Sequence, residues 1–82
     1  MLDITFEPDF LKLVEKIKDA TFKERAKKQI AKIIQNPEIG KPMRYLRKGT
    51  REVHLSPFRL SYLYLKEENR IVFLEIYHKD EQ

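Results

Sequence analysis

Three residues in the second half of the chain carry side chains suited to phosphate chemistry: His54, Arg59 and His78. Imidazole takes or gives a proton near neutral pH. A guanidinium grips phosphate with paired donors and steadies the charge that builds on it. Gathered around one RNA phosphodiester, these groups could break it by attack of its own 2′-hydroxyl. One group would be the base, one the acid for the leaving 5′-oxygen, and one the cation for the crowded phosphate. That chemistry needs no metal and no cofactor. With two histidines and no cysteine, and with its acids scattered, the chain does not suggest a metal site. Lys41, Arg44, Arg47, Lys48, Arg51 and Lys79 are candidates for a phosphate-binding rim around the three.

Each residue also has a plainer reading. His54 could be an ordinary strand residue opposite a charged neighbour. His78, near the C-terminus, could be surface decoration. Arg59 is harder to dismiss, because it sits between Phe58 and Leu60 and a charge in mid-strand needs a partner or a role.

The elements that must position these groups follow from periodicity. Leu2, Ile4 and Phe6 alternate with polar residues, as in a short half-buried strand. Pro8 opens a helix, where its missing N–H costs nothing, and Phe10, Leu13, Val14 and Ile17 form one apolar stripe. Thr21 and Glu24 fit a capping box for a second helix that runs to about Gln35. Its inner face is Phe22, Ala26, Ile30, Ile33 and Ile34, and Asn36-Pro37 stops it. Its outer face carries Lys23, Lys27, Lys28 and Lys32. The stretch from Glu38 to Thr50 reads as loop, with Gly40, Pro42 and Gly49. Three strand-like runs follow, Arg51–Leu55, Phe58–Leu65 and Arg70–Tyr77, separated by Ser56-Pro57 and by Lys66–Asn69. The order β-α-α-β-β-β predicts an α+β fold: an antiparallel sheet with a helical hairpin packed on one face.

The register decides which side chains share the uncovered face. A two-residue turn at Ser56-Pro57 pairs Leu55 with Phe58 and His54 with Arg59. Directly opposed residues point the same way. Glu52, His54, Arg59 and Ser61 then face away from the helices. A four-residue loop at Lys66–Asn69 pairs Leu65 with Arg70, puts Arg59 opposite Ile76, and brings His78 to the same face. Leu63, Val72 and Leu74 on that face would leave apolar area for a partner or the chain's own tail to cover.

Charge is unevenly spread. Thr21 to Arg59 holds 11 Lys/Arg against 3 Asp/Glu, while the whole chain has a net charge of +4. Such a block attracts polyanions or an acidic protein, though a solvated helix face beside a basic loop would look the same. At 82 residues the chain reads as a single domain, 1–82. Without cysteine it has no disulfide, and no stretch is apolar enough to span a bilayer or to read as a signal peptide. A soluble, cytoplasmic protein is expected.

The ordered set of residues resembles a family. The run NPEIGKPMRYLRKGTREVHLSPFRLSYLY, followed by IVFLEIYHKD, is similar to the RelE/ParE toxins. In both, a helix ends near proline, a basic loop follows, a strand carries basic positions, and an arginine-bearing strand comes next. The resemblance implies the RelE-type activity: a toxin of a type II toxin–antitoxin system, a ribosome-dependent mRNA endonuclease that inhibits translation. By the same resemblance Arg59 matches the phosphate-handling arginine. His54 occupies a basic position on the preceding strand, and Glu52 departs from the other. His78 matches a histidine of the YafQ-like branch, while Lys79 matches a late basic residue of RelE.

The implied partners are an acidic, RelB-like antitoxin with a wrapping helix, the ribosome and mRNA. Operator DNA would be met only through the antitoxin complex. No aromatic follows Tyr77, where many members have one. A ParE-like inhibitor of DNA gyrase, or an inactive relative kept as an interaction module, are the other readings.

Overall fold

The computed structural model describes residues 2–44 and 46–78. The elements run β1 (Asp3–Phe6), α1 (Pro8–Lys16), α2 (Ala20–Gln35), β2 (Lys41–Pro42), β3 (Thr50–Leu55), β4 (Phe58–Leu65) and β5 (Arg70–His78). The sheet has five strands in the order β1-β5-β4-β3-β2. Strands β3 to β5 pair antiparallel as expected, β2 adds antiparallel to β3, and β1 joins parallel to β5, so the sheet is mixed. Alternation predicted β1 as a strand but is blind to strand direction. The two-residue β2, read as loop because of Pro42 and the preceding Gly40, pairs Lys41 with Glu52.

Both helices pack on one face. Phe10, Phe22, Ala26 and Ile33 form the core with Leu55, Leu60, Tyr62, Ile71, Phe73 and Ile76 from the sheet. Pro8 begins α1 as predicted. The start of α2 differs: Asp19 is the cap, its Oδ1 accepting from the N–H groups of Thr21 at 2.9 Å and Phe22 at 3.2 Å. Asp19 is extended at φ −76°, ψ 109° and satisfies two orphan donors at once, so Thr21 is drawn into the first turn. Among the described residues no helix is long and apolar enough to cross a membrane.

The exit from α2 is locked by the sheet. The Tyr62 hydroxyl donates to Pro37 O at 2.7 Å and accepts from Gly40 N–H at 2.8 Å. A Cβ on Gly40 would lie 2.5 Å from that hydroxyl oxygen, so only glycine fits. Arg51 Nη1 donates to Glu38 O at 3.0 Å and Gly40 O at 2.7 Å. Arg51, expected at the phosphate rim, instead points to the helix side with its strand neighbour Tyr62 and closes this turn. Burial pushes the Tyr62 hydroxyl above its usual pKa, against the opposing pull of the Gly40 hydrogen bond and the Arg51 charge.

One irregularity controls the uncovered face. The β3–β4 pairs Leu55/Phe58 and His54/Arg59 and the β4–β5 pair Leu65/Arg70 are those predicted. Between Ser61 and Tyr62, however, the register of β4 on β5 shifts: Ser61 pairs with Glu75 and Tyr62 with Phe73. Leu74 is the extra residue of a β-bulge. Beyond it every β5 residue moves one place, and a one-place slip turns each side chain to the other face. Arg59 therefore pairs with Tyr77 rather than Ile76, and His78 pairs with Phe58. Ile76 is buried in the core, 9% exposed.

Candidate functional site

Glu52, Arg59 and Tyr77 meet on the face of the sheet that the helices leave uncovered. Glu52 comes from the middle of β3, Arg59 from the start of β4, and Tyr77, Arg59's partner across the bulged ladder, from the end of β5. Arg59 Nη1 donates to Glu52 Oε1 at 2.5 Å, and the Tyr77 hydroxyl donates to Glu52 Oε2. The Glu52 and Arg59 side chains are 11% and 21% exposed, so the pair is largely withdrawn from water. There a charge-assisted contact is stronger than at the surface. Arg59 Nε is buried without a hydrogen-bond partner among the described residues.

Basic residues stand at the rim of this trio. Lys41, opposite Glu52, and Arg44 line a depression with Glu52 and Arg59. Arg47 lines a neighbouring groove that reaches Tyr77. His54 is exposed and lies opposite Arg59 on the same face, and its carbonyl accepts from Gln29 Nε2 at 2.7 Å. Gln29, Arg25, Lys28 and Lys32 of α2 edge a basic hollow beside it.

The predicted residues thus divide. His54 and Arg59 share the open face, with Lys41, Arg44 and Arg47 nearby. His78 does not join them: the bulge turns it to the helix side, where its ring meets Phe58 edge-on at 5.4 Å. Lys48 lies away from the trio, in a depression with Tyr64 and the Lys66–Glu68 turn. The left-handed Gly49 beside it, φ +96°, turns the chain there. Lys79 falls outside the described residues. The sequence places Glu52 on this face with His54 and Arg59 but assigns it no role beyond a departure from a basic pattern. Its alternation with His54 already placed it beside Arg59. Tyr77 was hidden by the bulge, which no glycine announces; the signal that could have found it is Glu75, which an unbroken register would bury opposite Leu60.

The Glu52 carboxylate can accept a proton, and the Arg59 guanidinium with the cations around it can hold an anionic oxygen. Among the described residues no group of three or more His, Asp and Glu side chains is placed to hold a metal ion.

A family model described as the ParE toxin of type II toxin–antitoxin systems matches residues 4–82. No curated protein sequence matches the chain significantly. Solved structures share the fold at low identity. A chain of the intact Escherichia coli RelBE toxin–antitoxin complex is 22% identical, with a TM-score of 0.80, over 95% of this chain and 96% of that one. A YoeB/ParE toxin from Agrobacterium tumefaciens is 14% identical, also with a TM-score of 0.80, over 94% and 98%. The YoeB dimer from Staphylococcus aureus is 19% identical, with a TM-score of 0.76, over 94% and 95%. The match over residues 4–82, on this fold, makes the chain a member of the ParE toxin family of type II toxin–antitoxin systems, within the RelE/ParE superfamily.

Proposed function

We propose that the chain is a toxin that inhibits translation as a ribosome-dependent mRNA endonuclease. The observation that carries this reading is the convergence of Glu52, Arg59 and Tyr77 on the open face with Lys41 and Arg44 at the rim. Arg59 would grip the scissile phosphate and steady its added charge. Glu52 would take the proton from the attacking 2′-hydroxyl once the phosphate competes for Arg59. Tyr77 holds Glu52 in place and gives it a hydroxyl to share the proton with. His54, opposite Arg59, is the acid for the leaving 5′-oxygen or a further phosphate contact. Lys41, Arg44 and Arg47 would carry neighbouring phosphates, an attraction that weakens with salt. The ribosome would complete the substrate's geometry.

The partner that restrains the toxin would be an acidic antitoxin, as the RelBE complex suggests. It would lay an amphipathic helix on exposed apolar and basic surface, and opposite charge would speed their meeting. Operator DNA would be met only through that complex.

A second reading has its own support: the matching family model is that of ParE toxins. On that reading the chain inhibits DNA gyrase without cutting RNA. Induced expression followed by transcript mapping and a DNA-damage reporter tests both. Cuts in ribosome-bound transcripts are expected, whereas DNA damage with intact transcripts would favour the gyrase reading.

A further inference from the structure

We propose that the groove beside the Glu52–Arg59–Tyr77 trio is a nucleobase pocket, and that Glu75 makes it selective for guanine. The inference rests on the nuclease reading and adds the part of the substrate next to the phosphate.

The groove has a volume of about 700 Å³, enough for a nucleotide. Met43 and Leu46 from the β2–β3 loop form one wall, and Leu74 and Tyr77 from β5 form the other. Leu46 is 55% exposed, an apolar side chain facing water beside a polar site. The bulge builds this wall, because Leu74 is its extra residue and Glu75 and Tyr77 follow it on the open face. Tyr77 belongs to both places: it lines the groove and donates to Glu52, which holds Arg59. A phosphate at Arg59 therefore puts the attached nucleoside at the mouth of the groove. A base has apolar faces and a polar edge, and the groove has apolar walls with Arg47 and Glu75 set among them.

Glu75 supplies the selectivity. It is exposed, and among the described residues its carboxylate has no hydrogen-bond or ion-pair partner, although its backbone oxygen accepts from Ser61 Oγ at 3.4 Å. A carboxylate only accepts, through two oxygens side by side. Guanine alone presents two adjacent donors, N1–H and the 2-amino group, on its Watson–Crick edge. Adenine and cytosine offer one amino group there, and uracil one N3–H. A paired contact of this kind discriminates by roughly tenfold or more.

The test is an NMR titration of the intact chain with guanosine, adenosine, cytidine and uridine 3′-monophosphates, on the parent and on Glu75→Gln. The parent should bind the guanosine nucleotide roughly tenfold tighter than the others, with shifts at the Met43 and Leu74 methyls. Glu75→Gln should bring it level with them. Equal affinities in the parent, shifts confined to other surfaces, or a preference that survives Glu75→Gln would each overturn the pocket. Cleavage mapping separates the two claims. Guanine-selective binding by a chain that cuts no transcript would overturn the nuclease reading and leave the pocket standing. Transcript cutting without guanine-selective binding would do the reverse.

Discussion

The Arg59 guanidinium and the Glu52 carboxylate meet at 2.5 Å on the face of the sheet that no helix covers. Neither is needed to fill the core, and each draws the other out of water at a cost in desolvation. A fold seeking only stability would place apolar residues there, as it does with Val53 and Leu60 on the opposite face. The pair is better explained by what Arg59 releases when an anion takes the place of Glu52: a carboxylate ready to accept a proton.

Arg59→Ala removes the cation that would meet the phosphate. Transcript cleavage should fall about 10²- to 10³-fold, and growth arrest should disappear. Antitoxin binding, measured by calorimetry, should remain largely intact. A substituted protein as toxic as the parent would remove Arg59 from the site.

Glu52→Gln keeps the side chain's shape and a hydrogen bond from Tyr77 but no longer accepts a proton. Cleavage should fall about 10²- to 10⁴-fold with little change in melting temperature. Tyr77→Phe should cost less, about tenfold, and should add almost nothing to Glu52→Gln, because both act through one carboxylate. Fully additive losses in single-turnover assays would show that Tyr77 works independently.

The two histidines separate by face. His54→Ala, beside Arg59, should lower cleavage by about tenfold or more. His78→Phe keeps the ring packed on Phe58 and should leave cleavage within about threefold of the parent, a difference under 1 kcal/mol in barrier. The opposite ranking in a cleavage assay would contradict the assignment of faces.

That assignment also shows how far the sequence could be read. Ser56-Pro57 and Lys66–Asn69 are turns by residue type, so the pairs His54/Arg59 and Leu65/Arg70 were legible. The apolar stripes of both helices were legible for the same local reason, except that Leu13 of α1 lies exposed outside the core. The bulge inside two otherwise regular strands has a single mark in the sequence: an unbroken register would place the charged Glu75 opposite Leu60 in the core and Ile76 outside, and the extra Leu74 exchanges them. That single residue exchanges Ile76 for Tyr77 opposite Arg59 and turns His78 to the helix side. Arg51 looked like one more rim cation. Only its contacts with the carbonyls of Glu38 and Gly40 reveal a structural task. The parallel placement of β1 depends on where the chain goes after the helices, which no local pattern encodes.

Tyr62 should dominate the alkaline limit of stability. Its folded pKa is raised above 10.0 by burial, so the folded state holds the proton more tightly than the unfolded chain. That stabilising contribution is complete below pH 10, shrinks as pH rises past it, and is lost once pH passes the folded value. Tyr62→Phe should cost about 1–3 kcal/mol at neutral pH, through the orphaned Gly40 N–H and Pro37 carbonyl. It should also flatten the decline above pH 10. Gly40→Ala, which forces a Cβ onto the Tyr62 hydroxyl, should destabilise by about 1–3 kcal/mol in denaturant titration. A Tyr62→Phe protein with the parent's alkaline profile would place the titrating group elsewhere.

The central claim is that the open face of this toxin cuts RNA on the ribosome. Primer extension on transcripts from cells induced for the parent or for Arg59→Ala tests it most directly. Discrete cuts inside translated regions with the parent, absent with Arg59→Ala and absent when translation is blocked, are the predicted result. Uncut transcripts in cells arrested by the parent would contradict it.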